Sequence, residues 1–311
     1  MTKERRKRRR SPKSWLLFID ANILLDFYRL QGESAIRTLD LLEKHKDSLI
    51  LGDQLRMEFM NNRQRAVLAG IESLKVAKPQ RPTLPAILLD IQAAKTWMKT
   101  HDTAENRWKT VRKRVEAILN DPIQADVVYQ RLTRIFDHES PFNLRRPDKR
   151  RFEIRRLARK RFSLGYPPRK PNAISLGDSI HWEWIIACAR PNERERHDVM
   201  IVSRDEDFGA KHGKISIIND WLSREFKERV SPQRQIVLLT RLTDALKKLD
   251  EHVNAADVKE EDRIIKSEKV AQEESDRIIN WFRTSTFNPR RYLESPYDQT
   301  QGPLLDLPDE D

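Results

Sequence analysis

Four carboxylates in this sequence stand where carboxylates can act together. Asp20 directly follows the apolar run WLLFI (15–19), and Asp205 follows VMIVSR (199–204). Glu58, in LRMEF (55–59), and Asp178, which opens GDSIHWEWIIACA (177–189), fall in early helical turns next to strand ends. Open α/β sheets gather functional side chains at the C-terminal edge of their strands. Acids converging there repel one another and raise one another's pKa. Divalent cations relieve that repulsion. Hard oxygen donors, with no cysteine and no required histidine, select Mg²⁺ or Mn²⁺. Such ions can generate hydroxide and stabilise in-line displacement at phosphorus.

The acids need a frame, and the flanking sequence supplies one. WLLFI reads as a strand buried on both faces of a parallel sheet, and Ile23, Leu24, Phe27 and Leu30 then follow at helical spacing. SLILG (48–52) leads into a second helix that carries Glu58. Three more strand–loop–helix units are predicted: DVMIVS–RDEDF, KISIIN–DWLSREF and QIVLLT–RLTDALKKL (198–249). Strand and helix alternating in series predict an α/β fold, an open parallel sheet with helices on both faces. Residues 86–161 contain no convincing strand; Ile91, Trp97, Trp108, Val111 and Val115 suit amphipathic helices, so a helical insertion is expected there. Its end is basic, with 12 Lys or Arg against Asp148 and Glu153 across residues 143–170.

Composition bounds the remaining possibilities. Eight glycines in 311 residues argue for long helices rather than a turn-rich all-β fold. The single cysteine, Cys188, excludes internal disulfides and cysteine-rich zinc sites. No apolar run approaches the roughly 20 residues of a membrane span, so a soluble, cytoplasmic chain is expected. Net charge is +12, but residues 244–311 hold 10 basic and 17 acidic side chains, a balance of −7 that leaves +19 on residues 1–243. A surface so basic recruits polyanions. The organisation expected is a disordered basic arm over residues 1–13, an α/β domain over 14–250 containing the insertion, and a charged helix with an acidic tail over 251–311.

Together the motifs resemble those of PIN-like domain nucleases, the larger members with a helical insertion. FIDANILLD is similar to the family's opening DxN motif, LRMEF to its second, LGDSIHWEWIIACA to its third, and IVSRDEDF to its fourth, all in the family's order. The resemblance covers about residues 14–75 and 172–222. It implies an endonuclease using Mg²⁺ or Mn²⁺ on single-stranded nucleic acid, RNA ahead of DNA, with a prokaryotic toxin or phage-defence role among the settings. Asp20, Glu58, Asp178 and Asp205 would then be catalytic and metal-ligating. The family's fourth motif favours Asp205, two residues after Ser203, over Glu206 and Asp207, with Asp207 able to share the metal.

Each residue also has a plainer reading. Asp20 could merely cap the following helix, Asp178 could be an N-cap, and Glu58 competes with Asp53. Asn22 could orient Asp20, and Asp26 reads as a surface or ion-pair residue. Ser203 and His181 could touch a phosphate, or simply be structural. Trp182, Trp184 and Trp221 read as core, and Trp97 and Trp108 as bundle packing. Arg150, Arg151, Arg155 and Arg156 are expected to hold the substrate backbone beside the acids. Two rivals remain: a PIN-like nucleic-acid-binding or scaffold protein without catalysis, and a phosphatase with a nucleophilic aspartate. The second lacks the further Asp expected where Asn22 stands. The insertion or the C-terminal extension could instead serve a protein partner or self-association.

Overall fold

The computed structural model describes residues 14–76, 83–169, 174–190, 197–212 and 215–285. The basic arm and the acidic tail after residue 285 lie outside the described residues. Residues 1–262 form one compact unit and residues 263–311 a second.

The first unit is built on five parallel strands in the order β3-β2-β1-β4-β7. β1 (Ser14–Ile19) is central, and its residues Leu16 to Ile19 are all buried, which is why an uninterrupted apolar run was needed. Two short helices, α1 (Ala21–Leu25) and α2 (Gly32–Lys44), carry the chain to β2 (Leu49–Gly52), which pairs with β1. The long α3 (Asp53–Val76) follows immediately. Then come α4 (Gln92–Asn120), α5 (Pro122–Ala125), α6 (Val127–Asp137), the two-residue β3 (Asn143–Leu144) and α7 (Arg150–Ser163). α8 (Gly177–Ala189) packs against α7, and β4 (His197–Val202) pairs with the other side of β1. A hairpin, β5 (Gly209–His212) and β6 (Ile215–Ile218), precedes α9 (Asp220–Arg229), β7 (Ile236–Leu239), α10 (Leu242–Lys248) and α11 (Ala255–Ser285).

The sheet grows in opposite directions from β1 and β4. The crevice between them is therefore a topological switch point, where open α/β sheets bind ligands.

Several expectations are corrected. KISIIN is not a fourth parallel strand: Ile215–Ile218 pairs antiparallel with Gly209–His212 in a separate two-stranded sheet. Residues 86–161 are not purely helical, because β3 adds to the edge of the main sheet beside β2. Two residues give no periodicity to read, so such a strand is invisible in sequence. Within that interval α6 packs on α2 and α7 on α8. Trp97 and Trp221 are exposed, not packed in a core. Asp26 does form ion pairs, with Arg204 and Arg29, but it is buried rather than on the surface.

The compact unit also runs past the boundary expected near residue 250. Asp257 accepts hydrogen bonds from Ser34 Oγ (2.7 Å) and Arg37 Nη2 (2.6 Å), and Glu261 accepts from the amides of Leu242 and Thr243 at the start of α10. Among the described residues, no helix is long and apolar enough to cross a membrane.

Candidate active site

Strand register brings the first two motifs of the site together. Ile19 is paired with Val202, so Asp20 and Ser203 are the next residues out on neighbouring strands. Ser203 Oγ donates to Asp20 Oδ2 at 2.7 Å and accepts from the Asp205 amide at 3.1 Å. Ser203 is completely buried with its hydroxyl committed twice, so it orients the acids instead of meeting a phosphate as the sequence reading allowed. Asp20 occupies the N-cap position of α1 without capping it through its side chain. Its carboxylate is left to the crevice. Asn22 Nδ2 reaches across to Asp205 Oδ2 (3.2 Å), so the Asn of DxN orients Asp205, not Asp20.

The helical acids approach from the other side. α3 starts as soon as β2 ends, which sets Glu58 one turn into the helix, where its Oε1 accepts from Gln54 Nε2 (2.7 Å). Its Oε2 pairs with His181 Nε2 at 2.8 Å. Asp178 lies in the first turn of α8, one turn before His181. Gly177 makes the close approach of α3 and α8 possible: a Cβ there would collide with Glu58 Oε1. Neither Gln54 nor Gly177 announces such a role in sequence, although Gln54 sits four residues before Glu58 on the same helical face.

The electrostatics are those of crowded acids around one histidine. Burial, then the charge of Asp205, raises the Asp20 pKa against the Ser203 hydrogen bond and the His181 charge, with Glu58 adding to the rise. Asp178 is pushed up to about 7 by burial, opposed by His181 and reinforced by Asp207, Asp20 and Glu58. Burial pulls His181 down, but the Glu58 hydrogen bond and the charges of Glu58, Asp20 and Asp178 leave its pKa raised. Burial would raise Glu58, yet the His181 hydrogen bond and charge, and Gln54, bring it below its ordinary value. His181 is buried with its ring 5.1 Å from Phe18 and its Nε2 held by Glu58, so it is placed to orient the acids and not as an exposed phosphate contact.

The donor set fits divalent cations. It consists of carboxylates that destabilise one another's charge and are oriented by Ser203, Asn22 and Gln54. Asp20, Glu58, Asp178 and Asp205 are the residues available to hold such ions, with Asp207 coupled to Asp178. The acids do not form one tight ligand set, however. Among the described residues, the group whose donor atoms all lie within 4.8 Å of one another is instead His101, Asp102 and Glu105 on α4. Side-chain movement, or bridging water, is needed for several edge acids to share an ion.

The basic helix divides into two faces. Arg151 and Arg155 line a narrow cleft of about 20 Å³ with Phe18, Gln54, His181 and Trp184, next to the acids. Arg150 is committed elsewhere: it binds Asp148 Oδ2 through Nε (2.9 Å) and Nη2 (2.6 Å), donates to the Pro141 carbonyl (3.1 Å) and covers the Trp184 ring. Arg156 is exposed; at 100° per residue it projects away from the side that carries Arg151 and Arg155. A roomier cavity of about 470 Å³ opens near Ser14, His197 and Lys248, at the opposite edge of the sheet, far from any of these carboxylates.

A family model described as a PIN domain matches residues 17–208. No curated protein and no solved structure matches the chain. PIN domains are generally nucleases that bind nucleic acid and typically use divalent metals. The match covers more than half of the sequence and contains all four acidic motifs, and the chain belongs to the PIN domain family.

Proposed function

We propose that this chain is a divalent-metal-dependent endonuclease that hydrolyses phosphodiester bonds in single-stranded nucleic acid, RNA ahead of DNA. One observation carries the reading. At the β1/β4 switch point the acids gather in one crevice, where burial first, and then the charges of Asp207, Asp20 and Glu58 against that of His181, push Asp178 up to about 7. A fold has little reason to keep such a cluster for stability alone.

Asp20, Asp178 and Asp205 would hold Mg²⁺ or Mn²⁺, with Glu58 completing the set; the ion would supply charge neutralisation at phosphorus and acidify a water nucleophile. The protein's own groups do the positioning. Ser203 aims Asp20, Asn22 aims Asp205, and Gln54 and His181 aim Glu58. Arg151 and Arg155, lining the cleft beside the acids, would supply the positive charge that the acids cannot and hold the substrate backbone. These contacts would serve ground and transition states alike, so they belong to binding more than to turnover.

A cytoplasmic toxin or phage-defence effector role is part of the same proposal. It expects growth inhibition on expression that Asp20→Asn relieves. The deciding experiment incubates purified protein with labelled single-stranded RNA and DNA in Mg²⁺, Mn²⁺ or EDTA. Cleavage that requires metal and is lost in Asp20→Asn and Asp178→Asn supports the reading. Equal cleavage by both variants, in a preparation free of contaminating nuclease, overturns it.

A further inference from the structure

α4 is almost wholly a surface helix. Of its 29 residues, the buried one is a histidine, His101. Neither of its ring nitrogens has a hydrogen-bond partner among the described residues. Nδ1 faces Asp102 Oδ1 at 3.6 Å, too far for a hydrogen bond. Buried polar groups that lack a partner are uncommon and call for an explanation such as a bound water or ion.

The neighbours favour an ion. His101, Asp102 and Glu105 each offer a donor atom, and the three lie within 4.8 Å of one another on a single helical turn. Metal–donor distances of about 2.0–2.2 Å put donors at most about 4.4 Å apart, so a small rotamer change closes the site. Asp102 and Glu105 lie at the solvent side, which leaves an entry path. Glu105 also meets Lys109 at 3.0 Å, a partly exposed pair of a kind that contributes at most about 1 kcal/mol.

We propose that the His101–Asp102–Glu105 turn is a second divalent-cation site, separate from the sheet-edge acids. Two carboxylates balance the ion's charge. One imidazole tilts selectivity towards Zn²⁺ or Mn²⁺ and away from Mg²⁺, which prefers an all-oxygen shell. A bound ion would tie His101, the buried residue of α4, to the two carboxylates beside it on the same turn.

The experiment uses the full chain carrying Asp20→Asn and Asp178→Asn, which disables the edge acids. Zn²⁺ is titrated by equilibrium dialysis, and Co²⁺ is added separately to read its visible absorption. One Zn²⁺ per chain is expected, with affinity lowered about tenfold or more by His101→Phe and by Glu105→Gln, and with the Co²⁺ band lost in His101→Phe. Glu105→Gln changes a solvent-side residue, so it reports even if His101→Phe unfolds the protein. No Zn²⁺ bound, or Zn²⁺ bound with unchanged affinity in Glu105→Gln, overturns the site and leaves water as the partner of His101. Either result is independent of cleavage and so stands apart from the nuclease reading.

Discussion

Replacing Asp178 by Asn should stabilise the metal-free protein, and the gain should depend on pH in a defined direction. The folded carboxyl is raised from an ordinary 3.8 to about 7 by burial, against His181 but with Asp207, Asp20 and Glu58. Between those values the folded chain holds a proton that the unfolded chain has lost. Stability therefore falls as pH rises through this window, at up to ~1.36 kcal/mol per pH unit, and levels off above about 7. The full interval sets a ceiling of about 4 kcal/mol; partial solvation of the carboxyl screens it, and about 2 kcal/mol is expected at pH 8. Asn carries no charge to desolvate and escapes the penalty. Urea denaturation with EDTA, at one-unit steps from pH 4 to pH 8, should show the two proteins nearly equal at pH 4 and the variant ahead by that amount at pH 8. With Mn²⁺ in place of EDTA the order should narrow or reverse, because the wild type gains more from the ion. A difference independent of pH, or a variant less stable than wild type at pH 8 in EDTA, would refute the account of a mutually repelling cluster.

The other expectations concern positioning. Gly177→Ala puts a methyl group against Glu58 Oε1 and 3.3 Å from Gln54 Nε2; the flexible carboxylate swings aside, so cleavage should fall about tenfold or more while urea stability changes by under ~1 kcal/mol. Arg151→Ala with Arg155→Ala should raise KM about tenfold with kcat little changed, and should reduce the salt slope of binding by about 1.4, whereas Arg156→Ala should leave both nearly as they were. Ser203→Ala removes the donor to Asp20 and the acceptor of the Asp205 amide; denaturation should register a loss of about 1–3 kcal/mol, and dialysis a weaker affinity for Mn²⁺.

What could be read in the sequence follows from what leaves a local signature. β1, β2, β4 and β7 are apolar runs beside helical periodicity, and the acids that end or follow those runs are visible with them. The KISIIN segment carried the same signature and yet formed a hairpin, because strand direction is decided by partners distant in sequence. Asn22 was legible as part of DxN, but its bond to Asp205, 183 residues away, was not. The basic helix illustrates the same limit. Composition revealed its charge, whereas the division between Arg151 and Arg155, facing the cleft, and Arg150, held by Asp148, depends on helical phase and on one aspartate. Trp221 looked like a core residue because its segment was taken for a buried α/β unit.

The spacing between the basic face of α7 and the acids at the start of α8 is constrained by a network of buried charges further along both helices. Arg161, in the last turn of α7, donates from Nε to Glu183 Oε1 on α8 at 2.9 Å and also binds Glu225 on α9. Arg229 donates to Glu183 Oε2 and to Glu225 Oε1, each at 2.6 Å, and Trp182 Nε1 donates to Glu225 Oε2 at 3.1 Å. Burial alone would raise the Glu183 pKa, but Arg229 and Arg161 bring it below the ordinary value, so its charge is matched within the interior. A network of this kind is expensive to break from one side, by about 3–5 kcal/mol, because a buried charge is then left alone. Its effect here is geometric. α8 carries Asp178 and His181 at its start and Glu183 further along, while α7 carries Arg151 and Arg155 before Arg161. Locking Arg161 to Glu183 therefore fixes the cationic face of one helix relative to the acids of the other. Under the proposed function, acids that repel phosphate and arginines that attract it would have to share one substrate at a constant separation, and this buried network, with the packing of α7 on α8, would help to hold it.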